Sequence, residues 1–394
     1  MRVADVWAVA RMFLPLVGRV PAGHLWYLFR KMRCEKLQRF AGQVRINTFF
    51  PPWPSPALDR FCQNVAARRR VPYSVYLAAS DQCPFHCHHC SYAGRRREAL
   101  STDRMRQLVG QIKALGTCTL GLTGGEPLLR ADLESLVAAA GPEMATIVFT
   151  TGHGLDQRRA ESLRRAGAGC VTVGLESADP ATHDRVRGVV GSFASAREAV
   201  AACRGAGLFT AISTVGFREK LASGELERLY RLGADWGVGE FRLLAPVATG
   251  GLSGCGSAML SAEELAALAA FQVDHNRLDG GPSVNSFAHL ESAEMFGCGA
   301  GYHHLFIDAS GEVCPCDLTP MSFGNAAQEP LADIWARMGE FFARPRCGCL
   351  MGQLAAGFHN GAPLPLAREQ SESLCPRRLP TDLLPQAYRR LLDP

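Results

Sequence analysis

From residue 72 onward the chain repeats one unit: a short run of apolar and β-branched residues, a turn, then a stretch whose apolar positions recur every three or four residues. The runs at 73–79, 118–123, 145–151, 170–175, 208–215 and 240–246 read as strands, and the stretches near 101–115, 131–140, 156–166, 193–205 and 224–236 as helices. Met105, Leu108 and Ile112 form the apolar stripe of the first helix, with Ser101 at its N-cap. Strands alternating with helices pair in parallel through right-handed crossovers, so the fold class is α/β. Six such strands make either an open doubly wound sheet or an incomplete barrel, and periodicity alone does not separate them. In both, ligands bind beyond the C-terminal ends of the strands, so the chemistry is expected in the loops that follow the six runs.

The flanks break this pattern. After 246 come the Gly/Ser-rich residues 248–257, read as a linker leaving the sheet in preference to a substrate-facing loop, and a helix near 261–275. From about 285 the pattern turns to short strands and many turns. At the other end, residues 5–31 mix Val6, Trp7, Met12, Phe13, Leu16, Trp26, Tyr27 and Phe29 with Arg11, Arg19, Arg30 and Lys31, and the Pro-rich 49–54 reads as an extended connector. The expected organisation is a basic, partly apolar arm over 1–70, a barrel over 71–250, a linker and helix over 251–290, and a module over 291–394.

With 47% hydrophobic and 20% charged residues in 394, the composition is that of an ordinary globular chain and excludes disordered or fibrous classes. The net charge of +5 is unevenly spread, because residues 1–70 carry thirteen Lys/Arg against three Asp/Glu and the remainder is net acidic. The arm is read as packing on the barrel; the alternative is peripheral contact with an anionic membrane surface. Nothing points to nucleic acid. Arg11 and Pro15 interrupt the apolar residues 6–17, no cleavage site follows, and no run approaches the roughly 20 apolar residues of a membrane span, so the chain is read as cytoplasmic.

Fifteen cysteines change the picture. An odd number cannot pair off within one chain, and their bunching in a chain of enzyme size predicts metal ligation in a reducing compartment. Cys83, Cys87 and Cys90 have the spacing C-x3-C-x2-C in the loop after the first strand. Three thiolates there can hold three irons of a 4Fe–4S cluster and leave the fourth open to a reactant. The spacing alone also fits a closed zinc site completed by His86, His88 or His89, which would leave the loop inert. The second strand ends in Thr123, Gly124, Gly125, Glu126 and Pro127, where paired glycines let backbone approach a ligand and Glu126 can accept from an ammonium.

Taken together, C-x3-C-x2-C after the first strand and GGEP after the second resemble the radical S-adenosylmethionine (SAM) superfamily. The resemblance runs through about 180 residues. Residues 173–177 (VGLES) and 183–188 (HDRVRG) are similar to its V-S-L-D-G and H-D-x-I-R-G stretches, with Gly174 in place of the usual serine and Glu176 in place of the aspartate. The resemblance implies a partial (β/α)6, TIM-like barrel. It makes Cys83, Cys87 and Cys90 the catalytic cluster ligands and puts Thr123, Gly124, Gly125, Glu126, Pro127, Glu176 and Arg187 at SAM, with Arg187 facing its carboxylate. The plain alternative for Glu176 and Arg187 is a surface ion pair. Arg130 reads as a helix-start charge, and Phe85 and Tyr92 either shield the cluster or pack the loop. Implied chemistry is reductive cleavage of SAM, fed by a one-electron donor such as flavodoxin or ferredoxin, and hydrogen abstraction by the 5′-deoxyadenosyl radical.

Farther on, Cys298, twelve residues, then Gly311 to Cys316 give C-x12-G-x4-C, which resembles the opening of a SPASM or shorter twitch module; 322–325 (SFGN) and 333–335 (DIW) fit its GN and IW stretch. Where that module continues C-x2-C-x5-C-x3-C, this chain has only Cys347, Cys349 and Cys375. Six cysteines suffice for one auxiliary 4Fe–4S cluster and not for two. The implied ligands are Cys298 and Cys316 with two of Cys347, Cys349 and Cys375, and Cys314 is a substitute or a spare; zinc is again the alternative. Such a cluster would take the electron left on a product radical or bind substrate. His303, His304 and Asp308 read as structural, and Cys34, Cys62, Cys118, Cys170, Cys203 and Cys255 as small packing residues. The implied substrate is a peptide. A small molecule, sugar or lipid is the second reading, since no winged-helix peptide-recognition domain shows, and a zinc-bound, non-catalytic binding protein is the competing class.

Overall fold

The structure, a computed structural model, describes residues 3–32, 35–95, 98–358, 363–375 and 384–392, so Cys34 lies outside the described residues. A hairpin of β1 (Gln38–Phe40) and β2 (Gln43–Arg45) precedes six parallel strands: β3 (Ser74–Ser80), β4 (Thr119–Gly124), β5 (Ala145–Thr150), β6 (Cys170–Gly174), β7 (Thr210–Val215) and β8 (Glu240–Leu244). They lie side by side in chain order, so the expected partial (β/α)6 barrel is present. Their apolar residues fill both faces, as parallel strands covered by helices require. The helix Thr102–Ala114 buries Met105, Leu108 and Ile112 as its spacing predicts, although Ser101 occupies the N-cap without a side-chain cap bond.

The flanks differ from the sequence reading. Residues 251–290 do not merely link, because the helix Ala262–His275 returns the chain to β9 (Ser283–Ser286), which pairs in parallel with β8. On the opposite edge β10 (His304–Ile307) pairs in parallel with β3, and β11 (Val313–Cys314) pairs antiparallel with β10. The C-terminal module therefore extends the barrel's own sheet. One apolar core runs through both, from Leu122 and Val171 to Phe323, Ile334 and Phe342.

The arm packs mainly away from the barrel core. Its helices Val3–Phe13, Ala22–Met32 and Pro56–Ala66 bury Val9, Met12, Leu28 and Leu58, and the turn Leu14–Leu16 buries Leu16, in a second cluster with Met295, Phe296 and Leu391. That cluster borders a cavity of about 50 Å³ whose lining includes His24 and His303. Residues 49–54 are not a plain connector: Trp53 pairs back on Val44, and Phe49 and Phe50 pack on Phe296. The barrel itself is touched lower down, where Phe40 meets Phe209 edge-on and Thr48 donates its N–H and hydroxyl to Glu240. Among the described residues no helix is long and apolar enough to cross a membrane.

Candidate active site

The loop that leaves β3 carries Cys83, Cys87 and Cys90, all partly exposed, whereas Cys62, Cys118, Cys170 and Cys203 are buried as packing residues; Cys255 is exposed and is not one. Three other segments pin this loop. Gly125 N–H donates to Ser80 O (2.8 Å) and Glu126 N–H to Gln82 O (2.7 Å); His86 N–H donates to Arg187 O (3.0 Å), and Gly251 N–H to Cys90 O (2.9 Å). The glycines at these contacts are required by close approach of the chain to itself. A Cβ on Gly125 would lie 2.1 Å from Gln82 O, on Gly250 2.2 Å from Cys90 O, and on Gly251 2.1 Å from His88 O. The GGEP pair admits the cluster loop's own backbone, and 248–257 is a clamp on that loop rather than a linker.

The residues present suit a cluster better than zinc. His86 and His88 are exposed, and His89 Nε2 lies 3.2 Å from Glu176 Oε1, turned toward that carboxylate. Among the described residues no three donor atoms of this loop come within 4.8 Å of one another, whereas ligands of a tetrahedral zinc stand about 3.8 Å apart. Burial pushes the Cys83 thiol up to about 11 and raises that of Cys87 as well, where the Arg187 guanidinium, 3.5 Å from Cys87 Sγ, offsets part of the rise.

Glu126 is wholly buried and already has its donors: the hydroxyls of Thr150 (2.7 Å) and Thr151 (2.6 Å) and the N–H groups of Thr151 (2.8 Å) and Leu128 (3.1 Å). Burial raises its pKa and these donors lower it only in part. It thus ties the end of β5 to the turn in which Pro127 opens the helical turn Pro127–Leu129, leaving Thr123 and Gly124 half-buried at the strand end. Arg130 is a tether, donating to Ala79 O and Leu100 O at 3.1 Å. Phe85 and Tyr92 are buried, and the Tyr92 hydroxyl accepts the Ala309 N–H at 3.2 Å.

Glu176 is the second buried carboxylate, and it is not a surface ion pair. Arg187 Nη2 (3.1 Å), Lys220 Nζ (2.9 Å) and His89 Nε2 (3.2 Å) surround it. Burial alone would raise its pKa, but Lys220, His89 and Arg187 hold it well below the usual carboxylate range. His183 Nδ1 accepts the Glu176 N–H (3.0 Å), and Lys220 also donates to Thr214 (2.6 Å). Gly174 gains its reason here: a Cβ would lie 2.1 Å from Arg187 Nη2, so the guanidinium fills the space a serine would take. Two fixed cations against one carboxylate leave the pocket net positive, apt for the carboxylate of an amino acid. Lys220, Thr150 and Thr151 were not foreseen, since no spacing marks them; His89 was considered only as a zinc ligand.

In the module the predicted thiols separate. Cys298 N–H donates to Arg346 O (2.7 Å), which brings Cys298 against the segment that goes on to Cys347 and Cys349. Burial raises the thiols of Cys298 and Cys316; Cys349 raises Cys298 further, and Cys298 raises Cys316, so these three share one neighbourhood. Glu291 and Asp317 belong to it, and His304, Cys316 and Asp317 bring donor atoms within 4.8 Å of one another. Cys314 instead faces Arg95 and Asp308, and Cys375 is buried near Arg346. Three thiols with two carboxylates can hold one cluster.

A family model described as the Radical SAM superfamily matches residues 78–230, and one described as an iron-sulfur cluster-binding domain, SPASM, matches 298–349. A PqqA peptide cyclase of Streptomyces rochei is 30% identical over 289 residues, 69% of this chain and 78% of that protein. The chain belongs to the radical SAM/SPASM family. A PqqA peptide cyclase of Xanthomonas campestris pv. campestris is 29% identical over 299 residues, 73% of this chain and 79% of that one. Among solved structures, Streptococcus suis SuiB bound to precursor peptide SuiA superposes with a TM-score of 0.57 at 16% identity, over 71% of this chain and 69% of that one, and shows the shared fold. As a radical SAM enzyme the protein uses SAM and a 4Fe–4S cluster, and its SPASM domain binds auxiliary iron–sulfur.

Proposed function

We propose that this radical SAM enzyme removes hydrogen from an unactivated C–H of a precursor peptide during maturation of a peptide natural product. The similarity to PqqA peptide cyclases, 30% over 78% of one relative's length, carries the reading. When bound by Cys83, Cys87 and Cys90, a reduced 4Fe–4S cluster supplies the electron that splits SAM into methionine and a 5′-deoxyadenosyl radical, and the radical takes a hydrogen atom from the peptide. Arg187, fixed between Glu176 and Cys87, orients the SAM carboxylate. Lys220 and His89 keep Glu176 ionised, so Arg187 stays in place. Thr123 and the turn 124–127 border the methionine end, and the clamp at 250–251 keeps the thiol loop closed against water.

Cys298, Cys316 and Cys349, with Cys347 adjoining, are the residues to hold an auxiliary cluster. The electron donor is a flavodoxin or ferredoxin. The test is anaerobic reconstitution with iron and sulfide, then SAM, reductant and a precursor peptide. The expected products are 5′-deoxyadenosine and, once the peptide radical has passed its electron to an auxiliary cluster and lost a proton to solvent, a peptide lighter by two hydrogens. Failure to cleave SAM with an intact reduced cluster would remove the reading, and cleavage with a small molecule as the only modified product would redirect it.

A further inference from the structure

The outer face of the arm sets it apart from the rest of the surface. Among the described residues eight large apolar side chains are exposed, and four of them lie within residues 7–26: Trp7 (65%), Leu14 (64%), Val17 (61%) and Trp26 (59%). Helical spacing groups them, because Trp7, Arg11 and Leu14 follow one stripe from the helix Val3–Phe13 into the next turn, while Trp26 and Arg30 follow another on the helix Ala22–Met32. Both helices press their opposite faces, Val9 and Met12 on one and Leu28 and Met32 on the other, into the same buried cluster. The two helices also touch each other, so both outer stripes lie exposed on the same arm.

Charge identifies the occupant. Residues 6–34 contain no Asp or Glu, while Arg11, Arg19 and Arg30 are exposed beside the apolar side chains. Of the nearby acids, Asp5 pairs with Arg39 (2.9 Å) and Glu294 with Lys31 (3.6 Å). A second copy or an ordinary protein partner would meet this face with acidic or apolar side chains in fixed places. Two exposed tryptophans with arginines at their sides match instead the boundary between lipid headgroups and acyl chains, where indole rings settle and anionic headgroups meet guanidinium.

We propose that this face seats the enzyme on an anionic lipid bilayer, with Trp7, Leu14, Val17 and Trp26 inserted shallowly and Arg11, Arg19 and Arg30 at the headgroups. The contact is independent of the peptide substrate. The experiment floats the full chain with vesicles of phosphatidylcholine alone and of phosphatidylcholine with one-third phosphatidylglycerol, at 0.1 M and 0.5 M salt. Binding is expected to the anionic vesicles only, weakened roughly tenfold by the higher salt. Trp7→Ala with Trp26→Ala, and separately Arg11→Glu with Arg19→Glu, are each expected to reduce it at least tenfold while iron content and SAM cleavage are retained. No binding to anionic vesicles, or equal binding to both kinds, would overturn the proposal. So would a concentration-dependent dimer in sedimentation equilibrium that Trp7→Ala with Trp26→Ala abolishes, since a second copy would then cover the face.

Discussion

Two sets of cysteines are proposed to hold iron in this chain, and they are built in opposite ways. Cys83, Cys87 and Cys90 sit within eight residues of one loop, and neighbouring segments pin that loop without supplying thiols of their own. Cys298, Cys316 and Cys349 come from distant parts of the module and meet only because the sheet, the Cys298–Arg346 bridge and the buried core bring them together. A local set carries its own spacing and depends on the backbone around it. A dispersed set depends on the fold, so sequence spacing alone leaves open which of Cys314, Cys347 and Cys375 joins it.

The sharpest break of this contrast is by thiol removal. Replacing Cys83, Cys87 and Cys90 together by Ala is expected to abolish 5′-deoxyadenosine formation. Cys298→Ser with Cys316→Ser should retain SAM cleavage and lose only the auxiliary iron, while Cys314→Ser and Cys375→Ser leave iron and sulfide content unchanged. Loss of auxiliary iron on replacing Cys314 would undo the contrast.

Backbone dependence comes next. Gly251→Ala puts a methyl 2.1 Å from His88 O and is expected to lower stability by about 1–3 kcal/mol in urea unfolding, with reduced iron in the first site. Gly174→Ser, which restores the residue usual at that position, collides with Arg187 Nη2 at 2.1 Å and should weaken SAM binding roughly tenfold or more in equilibrium dialysis. If SAM binds unchanged, Arg187 does not hold it.

Lys220→Met should raise the KM for SAM several-fold, with Lys220→Arg recovering part of it, because one of the two fixed cations beside the buried Glu176 is lost and only Arg187 remains. The smallest effect expected is on pH dependence. Burial lowers His24 to about 4 and His303 to about 3. Both are neutral in the folded chain and protonate in the unfolded one below about 6.5, so the unfolded state binds more protons and stability falls as pH drops from about 6.5 toward 4. Thermal unfolding between pH 7 and 5 tests this, and His24→Gln should flatten the slope.

The same contrast governs what could be read in advance. The six barrel strands were legible because each is a short run rich in apolar and β-branched residues, and all but the last are followed by a helix-period stretch. In contrast, β9 is Ser-Val-Asn-Ser with one apolar residue, and β11 is two residues long; both exist through pairing with a neighbour and carry no pattern of their own. The thiol loop and GGEP were legible as local strings. Lys220 was not, because it reaches Glu176 from a separate short helix after β7, and tertiary folding alone makes the two adjacent. The arm was half legible: its aromatic content was plain, but which rings are buried and which face outward was decided by packing against residues 290–302 and the last helix.

The parallel pairing of β10 with β3 bears on modularity. The strand that launches the thiol loop is an interior strand only because the module supplies its outer neighbour. Excised, the module would leave β3 with a bare row of amides and carbonyls at the edge, an invitation to intermolecular pairing beside the oxygen-sensitive site. The two halves are thus poor cassettes for exchange between enzymes, and engineering a new substrate range in this scaffold is better begun in the loops above the strands than at the boundary between its domains.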